Sequence, residues 1–549
     1  MKYFRRSLTE YTIVLAAVLA AGLFYHFDTI RSGFDLLPGD GNDALLNILA
    51  ADSWGDVFRG ETAFRQNRIF YPFPTARGFT DLSLTLYLLE LPWRMLGFDM
   101  FSAAQTVYLL LHGFGILSMF YLLRKVLNLN FTAALGGALL SFYCNASWLK
   151  LHHTQFFFTA LLPLLAICVI RYCQLWQSGH TLRRILYGMG AFLTFAWIAY
   201  SNYYTAFFAG LFGAIFFLVY GILSRKRTTL KQLFPPYRLA ELTLLALWGI
   251  LLFAPFFYTY MPQMNDDYER IWTAAQGTLP TLADIVNVGP QNLLWGKLYD
   301  LAFPPIHKYV YENYHGLPLL TLAVMFWAFL QFRRERRQIP TVYLALAGSL
   351  FVTYLISLKF AHCVSLWYFV WKYVPGGNAI RAGGRIYVFL MFPLMTFLWW
   401  MIDRHFRNYP AWKQHLFCGL ILLVLLFDNY NTIRIYGWKR SDAIQNTAKI
   451  SPPPDDMKCF YIINSAGGTS HEYNWHIYGL PAWQIARYHK TFSINGYSGN
   501  KPANFHALDP LAPGYRREIG TWITQHNLTG VWALDVATGK WQKHSSAAE

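Results

Sequence analysis

Asp40 and Asp43 stand three residues apart in GDGNDALLNI, just past the first long apolar run of the chain. A carboxylate half-buried at a membrane surface has a raised pKa and can take a proton from a hydroxyl. It can also hold a cation, or cap the helix that begins near Asn42. Of the two, Asp43 reads as the cap and Asp40 as the chemical group. Arg381 and Arg385 in NAIRAGGRIYVF are four apart and would share one helix face. Two guanidiniums at a helix start, beside glycines and free backbone N–H groups, suit a phosphate or pyrophosphate. Their bland alternative is snorkelling to lipid headgroups.

His152, His153 and Gln155 in LKLHHTQFFF open an apolar span. Such residues bind phosphate, polarise a leaving group, ligate a metal, or simply form a polar helix end. No H-x3-H spacing or neighbouring cysteine points to zinc. Asp81 follows the rigid FYPFP turn and precedes a long apolar run that it can cap. Glu312 in YENYHGLPLL stands just before another span. Tyr497 lies in TFSINGYSGN, where Asn-Gly and Ser-Gly signal turns and the tyrosine can touch sugar.

The elements that must position these residues are apolar helices. The 549 residues are 55% hydrophobic, 18% aromatic and only 14% charged, with a mean hydropathy of +0.26. A soluble chain of this size carries about a quarter charged residues. Runs near 10–28, 103–123, 131–149, 155–173, 185–201, 205–223, 238–258, 316–332, 341–358, 385–402 and 412–428 predict about eleven spans on the rule of ~20 apolar residues per crossing. The net charge of +17 sits in short basic clusters between these runs. It therefore reads as a topology signal, not as a nucleic-acid surface. The clusters after Met1 and at 124–125, 183–184, 225–231, 333–337 and 404–413 all fall on one side of the membrane. The N-terminus is then cytoplasmic, and the first apolar run is a retained helix rather than a cleaved signal.

The transmembrane part is expected over 1–429, with external loops at about 30–100, 260–312 and 360–384. The first loop should hold interfacial helices, one of them with Leu45, Leu49 and Trp54 on an apolar side and Asp52 and Asp56 on a polar side. The tail, 430–549, reads as a small external α/β domain. CFYIIN and GVWALDV are its strands and RREIGTWITQHN a helix.

GDGND after the first helix, FYPFP followed by Asp81, HTQ at a span start, YENYHGLPLL, AIRAGGR and INGYSG occur in that order along nearly the whole chain. This pattern resembles the GT-C superfamily of integral-membrane glycosyltransferases, and more closely a broad group of bacterial GT-C-type proteins. The resemblance implies an acidic residue of the first external loop acting as base or as ligand to a divalent cation. That role falls to Asp40, with Asp43 as understudy. It implies a polyprenyl-phosphate sugar donor, with Arg381 and Arg385 near the donor phosphate. His153 and Gln155 match the group's His-x-Gln. The implied acceptor is an envelope glycan or lipid. GDGND differs from the paired Asp-Glu of protein O-mannosyltransferases, and no WWDYG-type motif occurs, which puts protein acceptors in doubt. The expected setting is a bacterial inner membrane with the tail in the periplasm. A lipid or solute transporter, or a non-catalytic envelope protein on the same frame, are the competing readings.

Overall fold

Long apolar runs fold as helices because a helix satisfies its own backbone N–H and C=O groups. A computed structural model describes residues 2–150, 153–176, 178–224, 236–265, 272–302, 316–360, 364–432, 438–471 and 474–545. It is mainly helical. The principal helices are α1 (Lys2–Tyr25), α2 (Asp43–Asp52), α3 (Leu84–Met95), α4 (Met100–Tyr121), α5 (Phe131–Tyr143), α6 (Leu162–Gln174), α7 (Thr181–Ala199), α8 (Tyr203–Ser224), α9 (Pro236–Asn265), α10 (Leu319–Glu335), α11 (Thr341–Ser357), α12 (Ile386–Phe406) and α13 (Ala411–Asp428).

Each segment expected to span is helical, yet among the described residues only six helices are long and apolar enough to cross a membrane. They begin at Met100, Thr154, Tyr203, Arg238, Gly383 and Ala411. The expected span 131–149 is broken: α5 stops after 13 residues and a short helix restarts at Asn145. Asn145 explains the break. Its backbone N–H donates to Asn429 Oδ1, and its side chain donates to the carbonyls of Val288 and Gly316. A side chain so engaged holds the backbone out of helical register.

α12 lies at the centre and is buried along most of its length. Trp399 lies flat on α5 at Gly136 and Gly137. A Cβ on Gly136 would come within 2.4 Å of its ring, so this helix pair requires glycine there. α8 packs on α11, and α6 and α9 flank α7.

Two short antiparallel strands, β1 (Lys359–Phe360) and β2 (Val364–Ser365), precede α12. The C-terminal part adds α14 (Arg440–Ala448), β3 (Cys459–Ile463), α15 (Asn474–Tyr488), β4 (Phe492–Ser493), α16 (Tyr515–Gln525), β5 (Val531–Asp535) and β6 (Lys540–Lys543). The sheet order is β4-β3-β5-β6, parallel except for β6. Every residue of β3 is buried, as befits a strand covered on both faces. The two segments read as strands and the one read as a helix from sequence are all present.

This α/β layer is fastened to the helical part. Tyr71 donates its N–H to the Ser493 carbonyl, Ser493 donates to Arg68, and Trp522 Nε1 donates to the Tyr71 carbonyl. Asp52 and Asp56, expected on a polar side of the helix, are buried against Arg487 of α15 and Arg68. Arg487 Nε donates to Asp52 at 2.8 Å and its Nη1 to Asp56 at 2.5 Å. Arg68 bridges Asp56 at 2.9 Å and Glu61 at 2.6 Å. The polar side of α2 thus exists, but it faces another part of the same chain.

Candidate active site

α2 has two ends, and the end opposite this joint carries the residues with chemical potential. Gly39, at φ 91°, turns the chain so that Asp40 reaches back over the helix start. Asp40 Oδ1 accepts from the backbone N–H groups of Asn42 (3.1 Å), Asp43 (2.7 Å) and Ala44 (3.4 Å). Asp40 is therefore the residue that caps α2, the reverse of the expectation that Asp43 does so. Asp43, freed from capping, points its carboxylate at His153. Oδ2 lies 2.6 Å from His153 Nδ1.

His153 in turn meets Arg385. Its Nε2 is 3.0 Å from Arg385 Nη2. A guanidinium only donates hydrogen bonds, so Nε2 accepts from Arg385, while Nδ1 stands in close contact with the Asp43 carboxylate. The result is a chain of carboxylate, imidazole and guanidinium drawn from three separate parts of the fold. Its histidine and arginine are buried, while Asp43 keeps 31% of its side chain exposed.

Arg381 and Arg385 do not share a helix face. Gly383 and Gly384 lie in a 3-10 turn, and α12 begins only at Ile386. Arg385 turns inward, with its guanidinium over the Tyr204 ring at 5.3 Å. Arg381 stays exposed, its backbone held by the Tyr204 hydroxyl, which accepts from Arg381 N at 2.9 Å and Ala382 N at 3.3 Å. Three helix starts therefore meet here: that after His153, that of α8 before Tyr204, and that of α12 after Arg385. The start of α8 already holds the Asp81 carboxylate, so the open positive charge here is that of the two arginines.

The C-terminal part closes the site. Gly479 of α15 lies directly on Gly496, since a Cβ on Gly479 would come within 2.7 Å of the Gly496 backbone. Gly496 itself is pressed against Ile69. This close approach, rather than a left-handed turn, is what requires the glycine in INGYSG. It seats Tyr497 between Trp475 (ring centroids 5.0 Å apart) and His476 (5.8 Å). Trp475 Nε1 is fixed by the Gly496 carbonyl at 2.6 Å.

Burial, then the charge of Asp43, pushes the Asp40 carboxyl upward against the opposing pull of its backbone N–H partners. Burial raises the Tyr497 phenol, Asp43 and Asp40 adding to the rise and Arg381 opposing it. Burial lowers His476, against the pull of Asp40 and Asp43. Asp40, Asp43, His153 and Arg385 are linked by direct contacts and Arg381 through Tyr204, while Tyr497 packs on Trp475 and His476.

Three expected residues are not placed with them. Asp81 caps α8, accepting from Tyr203 N at 3.3 Å, and not the run that follows it. Gln155 buries its Oε1 without a hydrogen-bond partner among the described residues, and its carbonyl accepts from Asn202. Glu312 lies outside the described residues, as does His152. Sequence reasoning missed Tyr204, His476 and Lys150. Lys150 is 1% exposed and lines a cavity of ≈ 40 Å³ beneath His153, together with Ser147 and His112. A lysine buried within LKLHHTQ was the one signal open to notice. Trp475 and His476 look like an ordinary helix start.

Among the described residues no three His, Cys, Asp or Glu side chains gather as a metal site. Asp40 Oδ1 is held by helix N–H groups and Asp43 Oδ2 faces His153. Compared with protein-family models and with curated proteins, the chain matches none.

Proposed function

We propose that the chain is a GT-C-type glycosyltransferase that moves a sugar from a polyprenyl-phosphate donor to an envelope glycan or lipid. About eleven helices would cross a bacterial inner membrane on this reading, with α2, α3 and the C-terminal part on the external side. The observation that carries it is the Asp43–His153–Arg385 chain at the meeting point of three helix starts. A lipid phosphate reaching this point from the membrane would meet Arg385 and Arg381. An acceptor hydroxyl attacks the anomeric carbon, the bond to the phosphate oxygen breaks, and polyprenyl phosphate leaves with its electron pair. The two guanidiniums stabilise the charge that grows on the phosphate. Asp43 holds His153, whose Nε2 accepts from Arg385, and this fixes the guanidinium. Asp40 keeps the start of α2, and with it Asp43, in place.

The test is a mass-spectrometric profile of envelope glycans from cells with the native protein, with none, and with Asp43→Asn. Loss of the same sugar in the last two, with Asp43→Asn produced at native level, is the expected result. A full native glycan profile in cells lacking the protein would overturn the reading.

A further inference from the structure

A second cavity lies where the C-terminal part meets the segment between α2 and α3. It measures ≈ 330 Å³, at the small end of the ~300–1,000 Å³ of small-molecule sites. Tyr71 and Phe492 line it with their rings 4.8 Å apart, beside Lys458, His489 and Lys490. This wall is held in place. Tyr71 donates its N–H to the Ser493 carbonyl, its own carbonyl accepts from Trp522 Nε1, and Arg68 lies 5.4 Å from the centre of the Phe492 ring. The charge of the cleft is positive. Lys458 uses one donor on Thr529 Oγ1 at 3.2 Å, and an ammonium has three. Lys490 has a 73% exposed side chain and stands 3.8 Å from Glu61, which Arg59 and Arg68 hold more closely at 2.9 and 2.6 Å. Asp456, close by in the chain, pairs with Lys543 at 2.7 Å. Among the described residues no carboxylate lines the cleft. Burial lowers the pKa of His489, so it enters as a neutral ring and the positive charge is that of the lysines.

We propose that this cleft binds an anionic sugar, with its ring against Tyr71 and Phe492 and its carboxylate or phosphate against Lys458 and Lys490. The C–H face of a sugar ring gains dispersion contact on an aromatic ring, and an ammonium makes charge-assisted hydrogen bonds to an anion. The volume suits one sugar unit and excludes a folded partner. No lining residue comes from the six long apolar helices, which separates the cleft from a lipid-facing groove. One step rests on the glycosyltransferase reading: the sugar then belongs to the acceptor glycan, gripped at a unit other than the one that reacts.

The experiment titrates the purified full chain in detergent, by calorimetry at low salt. The probes are hexuronates, hexose 6-phosphates, neutral hexoses, inorganic phosphate and tetraglutamate. The expected result is saturable binding of a charged sugar, about tenfold tighter than that of the neutral hexose or of inorganic phosphate. Combining Lys458→Gln with Lys490→Gln should weaken it about tenfold, as loss of a charge-assisted contact predicts. Tyr71→Leu, which keeps the backbone bonds, should weaken it too. The tighter of hexuronate and hexose phosphate tells which anion the lysines read. Binding of no charged sugar, equal binding of the neutral hexose or of tetraglutamate, or native affinity in the double variant would overturn the assignment. Failure of the wider reading looks different: the titration would stand, while cells lacking the protein kept a native glycan profile.

Discussion

The two ends of α2 carry two charged clusters that differ in kind. At the far end, Asp52 and Asp56 are closed in by Arg487 and Arg68, with Arg94 3.3 Å from Asp52 and Glu61 completing the group. Each of these carboxylates touches more than one cation, and the Asp56 and Arg68 side chains are 4% and 3% exposed. At the near end, Asp43 has one histidine partner, remains partly exposed, and opens toward an exposed Arg381. A saturated, dry cluster holds parts together, whereas an open one has capacity left for a ligand.

Breaking the joint should have the largest effect. Arg487→Ala leaves Asp52 and Asp56 buried with one guanidinium fewer, and loss of one partner of a buried pair costs about 3–5 kcal/mol. Thermal unfolding and limited proteolysis of the C-terminal part should register this. Unchanged melting and cleavage would show that the two clusters do not differ as argued. At the near end, Asp40→Ala should cost about 1 kcal/mol through loss of the α2 cap. Asp40→Asn, which keeps an accepting oxygen, should melt close to wild type. Equal melting of the two variants would contradict the capping role.

The smallest effect concerns Glu90 of α3, which lies beside the joint. It is fully buried, and neither carboxyl oxygen has a hydrogen-bond partner among the described residues. Burial, reinforced by Asp52, raises its pKa well above the usual carboxylate range against the pull of Arg94 and Arg487. Raised in the folded state, the carboxyl favours folding below its unfolded pKa, and that contribution is lost as pH rises through the folded value. Glu90→Gln should therefore melt like wild type in acid and above it in alkali. A melting difference that does not change with pH would contradict a protonated Glu90.

Helices and strands were legible because apolar periodicity and run length report them directly. The break at Asn145 was not, since it depends on partners at Val288, Gly316 and Asn429 far along the chain. The near cluster was legible in its members but not in their roles. Sequence marks two carboxylates before a helix, yet only the turn at Gly39 decides which one reaches back to cap it. The spacing of Arg381 and Arg385 suggested one helix face. The intervening Gly383 and Gly384 delay the helix and send the side chains apart. His476 was hidden for a topological reason. It packs on Tyr497 from α15, more than 400 residues after Asp43, and no local pattern announces that contact.

The most direct measurement follows the release of polyprenyl phosphate from its sugar-charged form in membranes carrying wild type or Asp43→Asn. The account predicts release coupled to sugar transfer with wild type, and a fall of about 10²-fold or more with Asp43→Asn at equal protein and equal melting temperature. Equal release by both would contradict the claim that the Asp43–His153–Arg385 chain is the reaction centre.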